Sequence, residues 1–254
     1  MARYFLQIQY DGSAFHGSQI QGDTPTVQLA INQSLSTLLR EPIESFGASR
    51  TDEGVHALCS YYHFDTEQPL HENFIYKMNA ILPLQIAVNK LYRTVDPELN
   101  CRFAAVSRQY RYRIYKEKNP FKQNRALYHP YKIDRAILDE TAEVIKEYTD
   151  FETFSKRNSQ TKTYLCTIME SRWEDFEDEL HYVVRGNRFL RGMVRGLVGT
   201  QLQAAKGKVS IEEFRKIIES KDCTQADFSV AGHGLYLEDI EYLEGSLIEI
   251  FDKN

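Results

Sequence analysis

Long apolar runs are missing from this 254-residue chain. None approaches the roughly 18 to 20 residues that a membrane-spanning helix needs, so no membrane association is expected. Met1 to Tyr4 leads straight into a strand pattern without the charged and apolar regions of a secretory signal, and a cytoplasmic location is expected. Cysteine is sparse. Cys59, Cys101, Cys166 and Cys223 are scattered with no Cys-x-x-Cys pair, which suggests neither a disulfide framework nor a zinc site. The seven histidines show no His-x-x-x-His spacing, and no glycine group has the pattern of a nucleotide-phosphate loop. These absences argue against metal, ATP and nicotinamide cofactors, so no cofactor is expected.

What is present fits an ordinary globular protein: 42% of the residues are hydrophobic, and the length supports one large domain or two intimate halves. The net charge of −5 speaks superficially against a nucleic-acid partner. Its distribution matters more than its sum. Basic residues gather at Arg102, Arg108, Arg111, Arg113, Lys116, Lys118, Lys122 and Arg125, and again at Arg185, Arg188, Arg191, Arg195, Lys206 and Lys208. Acids crowd Glu170 to Glu179 and the tail from Glu238 to Asp252. A basic groove and an acidic back would give this pattern, and so would a set of solvated charged faces.

The periodicity predicts a strand at Arg3–Tyr10, then a helix capped by Thr26 with Val27, Ile31, Leu35 and Leu38 at helical spacing to Arg40. Strands near Ile43–Ala48 and His56–Asp65, a helix ending near Leu82-Pro83 and a strand at Ile86–Val95 complete a βαββαβ order. From Cys101 the pattern restarts. A long strand passes through Tyr110, Tyr112 and Ile114, and a helix covers Asp134 to Tyr148. Strands follow near Tyr164–Trp173 and Leu180–Arg185, then a helix over Arg188–Ala205. A helix opened by the capping box Ser210…Glu213 and a strand at Leu235–Tyr242 close the order βαββααβ. Two similar α+β halves are expected, residues 1–100 and 101–254, with sheets able to join side by side.

The segment Gly47 to Ala57, Gly-Ala-Ser-Arg-Thr-Asp-Glu-Gly-Val-His-Ala, carries the clearest chemical signal. In an extended chain Arg50 and Asp52 emerge on one face, where the guanidinium favours an ionised carboxylate able to act as nucleophile or base. Gly54 supplies a bend. The plainer alternative is that Asp52 caps a surface turn. His56 is read as structural or phosphate-contacting. In the strand at Tyr110, aromatic residues alternate with Arg111 and Arg113, an arrangement that can stack a base and take phosphates, or that can place Tyr110 and Tyr112 in a core. In the helix expected after Asn187, Arg188, Arg191 and Arg195 recur at intervals of three and four, forming a basic stripe that an anion would relieve or that water would solvate.

Arg50 to Ala57 closely resembles the signature of the tRNA pseudouridine synthase A family, Arg-Thr-Asp-x-Gly-Val-His-Ala. The resemblance extends through Tyr10-Asp11-Gly12, Phe15, Gly17, Gln19, Thr26-Val27-Gln28, Asn79, Leu82-Pro83, Arg102-Phe103, Arg108, Tyr110 and Tyr112. It continues from Asn187 to Gly199 and at Gly234-Leu235-Tyr236-Leu237. It implies an α+β fold of two ferredoxin- or RRM-like halves forming one extended, largely antiparallel sheet with a central cleft. It also implies a cofactor-free homodimer that isomerises uridine to pseudouridine in the tRNA anticodon stem-loop, at positions 38, 39 and 40. By the same resemblance Asp52 is the catalytic aspartate, Tyr110 stacks on the uracil, and Leu235 lines its pocket, with Leu237 offering the same chemistry. Arg195 pairs with the aspartate and Arg50 assists base flipping, two roles that could be exchanged. Arg111, Arg113, Arg188 and Arg191 are candidate RNA contacts. The chain departs from the family at Ser18, where tryptophan is frequent, at Gln85, at Leu99-Asn100-Cys101 in place of Phe-His-Ala, and at Gly232 in place of proline. The other readings from different classes are a noncatalytic RNA-binding or RNA-folding protein and a glycosidic-bond hydrolase; for the latter, the needed second acid is not supplied by Glu53, which would point away.

Overall fold

β1 (Ala2–Tyr10) buries Phe5 on one face and Leu6 and Ile8 across the bulged remainder of the strand, as its alternation requires. The structure is a computed structural model that describes residues 1–157 and 161–251, so that Asp252 of the acidic tail lies outside the described residues. It is an α+β fold of two compact units. The first comprises Met1–Val106 together with the chain from Leu237 onward, and the second is Ser107–Tyr236.

In the first unit, α1 (Val27–Leu39) begins at Thr26, whose Oγ1 accepts the Leu29 N–H at 3.3 Å, and ends at Arg40 in the left-handed region. It buries Val27, Ile31 and Leu35 completely. β2 (Phe46–Gly47) is much shorter than the strand expected over Ile43–Ala48. The reason lies in α1: Asn32 Oδ1 accepts both the amide and hydroxyl hydrogens of Ser45, and Gln28 Nε2 donates to the Ser45 carbonyl, so side chains take the place of a strand neighbour there. β3 (His56–Thr66), α2 (Phe74–Ile81) and β4 (Ile86–Thr94) follow, and β1 lies antiparallel between β3 and β4. β4 slips register between Lys90 and Val88. The Asn79 side chain meets both main-chain groups of Val88 at 2.7 and 2.9 Å, holding the bulge.

The second unit is built on β5 (Ala105–Tyr115), of which Ala105 and Val106 belong to the first. β6 (Leu127–Tyr128) runs parallel to its end. α3 (Arg135–Lys146) is capped by Asp134, and β7 (Ile168–Phe176) and β8 (Glu179–Gly186) form a hairpin that pairs antiparallel with β5 through β8. α4 (Met193–Ala205) and α5 (Ile211–Glu219) complete the unit, the latter with the capping box read from sequence. Gln201 Oε1 accepts from Trp173 Nε1 at 2.8 Å and from the Thr141 hydroxyl at 3.2 Å, tying α4 to β7 and α3 inside an apolar core.

α4 starts five residues later than the helix expected from Arg188. Gly192 sits at φ +74°, the Lys156 N–H takes the Arg191 carbonyl, and Asn187 is fastened to Thr167 through both its backbone and its side chain. Arg188 and Arg191 therefore precede the helix, and the expected stripe with Arg195 does not exist. β9 (Leu235–Tyr242) begins in the second unit and continues into the first, where it lies next to β3. β10 (Leu247–Ile250) pairs with β4, giving the first unit the order β10-β4-β1-β3-β9. Among the described residues, no helix is long and apolar enough to cross a membrane.

Candidate active site

The Asp52 segment is a turn held from behind by the chain that follows β1. Residues 50–52 lie outside any strand, and the turn follows at Glu53-Gly54. Val55 N–H reaches the Asp52 carbonyl at 3.2 Å, and Gly54 takes φ +76°, the value a type II turn demands at that position. Two glycines permit the close backing. A Cβ on Gly12 would come within 2.0 Å of the Val55 carbonyl oxygen, and one on Gly17, itself at φ +92°, within 3.0 Å of that of Thr51.

Thr51 is clamped on three sides. Ser18 N–H donates to the Thr51 carbonyl at 3.1 Å, Thr51 N–H donates to Ser18 Oγ at 2.8 Å, and the Tyr10 and Thr51 hydroxyls share a hydrogen bond of 2.8 Å. All three residues are buried, so these bonds are sheltered from competing water. Asp52 itself is half-buried beside this fixed backbone. His56, at the start of β3, is buried. Its Nδ1 accepts from the Gly12 N–H at 3.2 Å and lies 3.1 Å from Asp11 Oδ1, two contacts that one nitrogen cannot serve in the same protonation state. Either way His56 fastens Asp11-Gly12 to the turn, which is the structural role among the two read from sequence. His16 and Glu53 form an exposed pair at 3.4 Å that contributes little. Arg50 is exposed and lines a cavity of about 150 Å³ within the first unit.

The remaining candidates lie in the second unit. Tyr110 is buried in β5 opposite Val184, its ring edge-on to Phe189 with centroids 5.1 Å apart. Tyr112 is wholly buried, and its hydroxyl donates to the Ala231 carbonyl at 2.7 Å. Burial drives its pKa up, against the pull of the Arg195 charge, so it is a core residue. Arg195 occupies the first turn of α4 and is held by the Val230 carbonyl at 2.8 Å and that of Phe228 at 3.4 Å. Leu235 begins β9 and is buried, and Leu237, on the same strand face, is buried completely.

Arg111 and Arg113 project from β5 into contacts of their own unit. Arg111 pairs with Glu174 and reaches His181 Nδ1 at 3.1 Å, while the Arg113 guanidinium sits 4.0 Å from the Tyr236 ring centroid. Arg188 is half-exposed and Arg191 exposed, ahead of α4. Arg50 and Asp52 thus share the first unit, and Tyr110, Arg195 and Leu235 share the second. Ser18 and Tyr10, which hold the turn, escaped the sequence reading as contributors to the site. The only signal available was their place in or beside Tyr10-Asp11-Gly12 and Gly17, which read as a strand-to-turn device.

The first unit thus presents a half-buried carboxylate on a clamped turn, and the second holds a buried ring and an arginine fixed by two carbonyls. The tRNA pseudouridine synthase family model matches residues 148–243. A Parabacteroides distasonis protein named tRNA pseudouridine synthase A is 41% identical over 246 residues, covering 96% of this chain and 97% of the relative. Proteins of that name from Bacteroides thetaiotaomicron and Staphylococcus aureus are 40% and 32% identical over 249 and 252 residues; they cover 96% and 98% of this chain, and 92% and 94% of the relatives. Their nearly complete, mutual coverage settles the more particular assignment. The chain belongs to the tRNA pseudouridine synthase A family.

Proposed function

We propose that the protein isomerises uridine to pseudouridine in the anticodon stem-loop of tRNA, at positions 38, 39 and 40, with Asp52 as the essential carboxylate. As a member of its family it is a tRNA-modifying isomerase. The observation that carries the role of Asp52 is the reciprocal clamp of Ser18 on Thr51, backed by Gly12 and Gly17, which fixes the backbone immediately before a half-buried carboxylate. Holding a reacting group in place is itself a large part of catalysis.

The reaction breaks the N1–C1′ bond, turns the detached uracil and joins C5 to C1′. The C5 proton is lost to solvent and N1 gains one, so substrate and product are isomers and no electron acceptor is needed. The target base must leave its stack to be reached. In this reading Asp52 acts on the ribose or the base, Tyr110 stacks on the uracil, Leu235 closes its pocket, and Arg195 and Arg50 divide charge pairing and base flipping. Arg191, exposed where Arg111 and Arg113 are half-buried in contacts of their own unit, is the best placed of the candidate RNA contacts. The resemblance adds a homodimer acting in the cytoplasm.

The test is tritium release from unmodified tRNA labelled at uridine C5, with pseudouridine mapped in the product. Wild-type protein releases tritium. Asp52→Ala releases none while keeping its fold and its tRNA affinity within about threefold. Tight tRNA binding with no release from the wild type would support the RNA-binding reading instead, and loss of both fold and binding in the variant would make Asp52 structural.

A further inference from the structure

We propose that the cavity beside Arg50 is a second nucleotide subsite, which takes one unpaired tRNA nucleotide other than the uridine being isomerised. This rests on the tRNA-modifying reading above. The cavity lies wholly within the first unit and measures about 150 Å³, room for a single base ring, and its lining includes Gln19, Phe46, Arg50, Asn100, Arg102 and Phe103. Asp52 is not part of the lining, although Arg50 stands only two residues before it.

Two phenylalanines are exposed in this one place, Phe46 at 47% and Phe103 at 81%. A lone exposed aromatic is unremarkable, whereas two rings facing a base-sized cavity beside two arginines form the stacking platform and phosphate contacts that single-stranded RNA needs. The Phe46 ring is held from beneath, and the backbone that carries Phe103 is held in a turn. Phe46 stacks on buried His63 with centroids 5.2 Å apart and planes inclined by 24°. Phe103 is carried by a turn in which the Asn100 carbonyl accepts the N–H groups of Phe103 and Ala104, and Asn100 Oδ1 accepts that of Arg102.

Cys101 anchors that turn. It is completely buried, its thiol donates to the Phe46 carbonyl at 3.0 Å, and its own carbonyl accepts from the Tyr242 hydroxyl at 2.7 Å. The Phe46 carbonyl and the turn carrying Phe103 are therefore joined through one buried sulfur, so the backbone on both sides of the cavity is already in place for a ligand. The amides of Gln19 and Asn100 add hydrogen-bonding groups suited to base edges. With its oxygen engaged by Arg102, Asn100 offers chiefly its NH₂.

The experiment uses the full chain and tRNAs carrying 5-iodouridine at each unpaired anticodon-loop position in turn. After irradiation, crosslinked peptides are mapped by mass spectrometry, and pseudouridine formation is measured on the same complexes. One position is expected to crosslink to Phe103 or Phe46. Phe103→Ala, at an exposed site where folding is checked by circular dichroism, is expected to weaken tRNA binding about tenfold, within the range that removal of one base-stacking ring produces. The rate in a single turnover at saturating protein should fall much less. Crosslinks confined to other surfaces, with Phe103→Ala binding like wild type, would overturn the subsite. If the crosslink forms but no pseudouridine does, the subsite stands and the isomerase reading fails. If tRNA does not bind at all, both fall.

Discussion

At the scale of single residues, Ser18 illustrates how a departure from a family pattern can be absorbed. Ser18 departs from the pattern of the resembled family, and its hydroxyl takes the buried Thr51 N–H. An unpaired buried amide costs about 1–3 kcal/mol. Ser18→Ala is expected to lose that much stability, read by urea denaturation. Its single-turnover rate of pseudouridine formation should fall more than its tRNA affinity, because the affected backbone leads into Asp52 rather than into an RNA-facing surface. Cys101, another departure, could be read from sequence only as a reduced thiol. Its neighbours Phe46 and His63 are 55 and 38 residues away in the chain, and nothing local announces them.

At the scale of elements, legibility followed periodicity. β1, β3, α1, α3 and α5 stand where alternation, helical spacing and caps placed them, because each carries its signal within its own residues. The failures came where another element supplies the deciding partner. β2 shrank because α1 side chains occupy Ser45, and α4 lost its first turn to Gly192 and to the contacts of Asn187 and Arg191. β6 and β10, two and four residues long, gave no pattern to read. The position of α4 also has a measurable consequence. A Cβ on Gly199 would lie 2.1 Å from the Asp227 carbonyl oxygen, in the segment whose Phe228 and Val230 carbonyls hold Arg195. Gly199→Ala is expected to cost about 1–3 kcal/mol by overpacking. It should also lower the single-turnover rate by shifting Arg195, whereas the equally helical Gln203→Ala, which removes only a side-chain bond to Asp227, should leave that rate closer to wild type.

At the scale of the whole molecule, buried histidines set the acid limit of stability. Burial, reinforced by the Arg3 charge, lowers the His63 pKa to about 4, and burial likewise lowers those of His129 and His181. As pH falls below the ordinary histidine value of about 6.5, the unfolded chain takes up these protons before the folded one does, so stability present at neutral pH erodes between about 6.5 and 4. Asp65 acts lower on the scale. Its hydrogen bond from Arg3 holds its pKa below the usual carboxylate value, so its contribution persists until the pH falls through that depressed value. Thermal melts at pH 7.5 and 4.5 should show the first loss, and His63→Gln should reduce the difference between them.

The first unit also takes its last two strands from the far end of the chain. β9 and β10 flank β3 and β4, yet β10 and all of β9 beyond Tyr236 are made only after the second unit. On the ribosome, the residues that will bear Asp52 emerge early into a sheet that cannot be finished. The second unit, contiguous in sequence, has all its strands first. Vectorial synthesis thus withholds the complete carboxylate-bearing sheet until the second unit has been made, and the order of assembly runs against the order of translation.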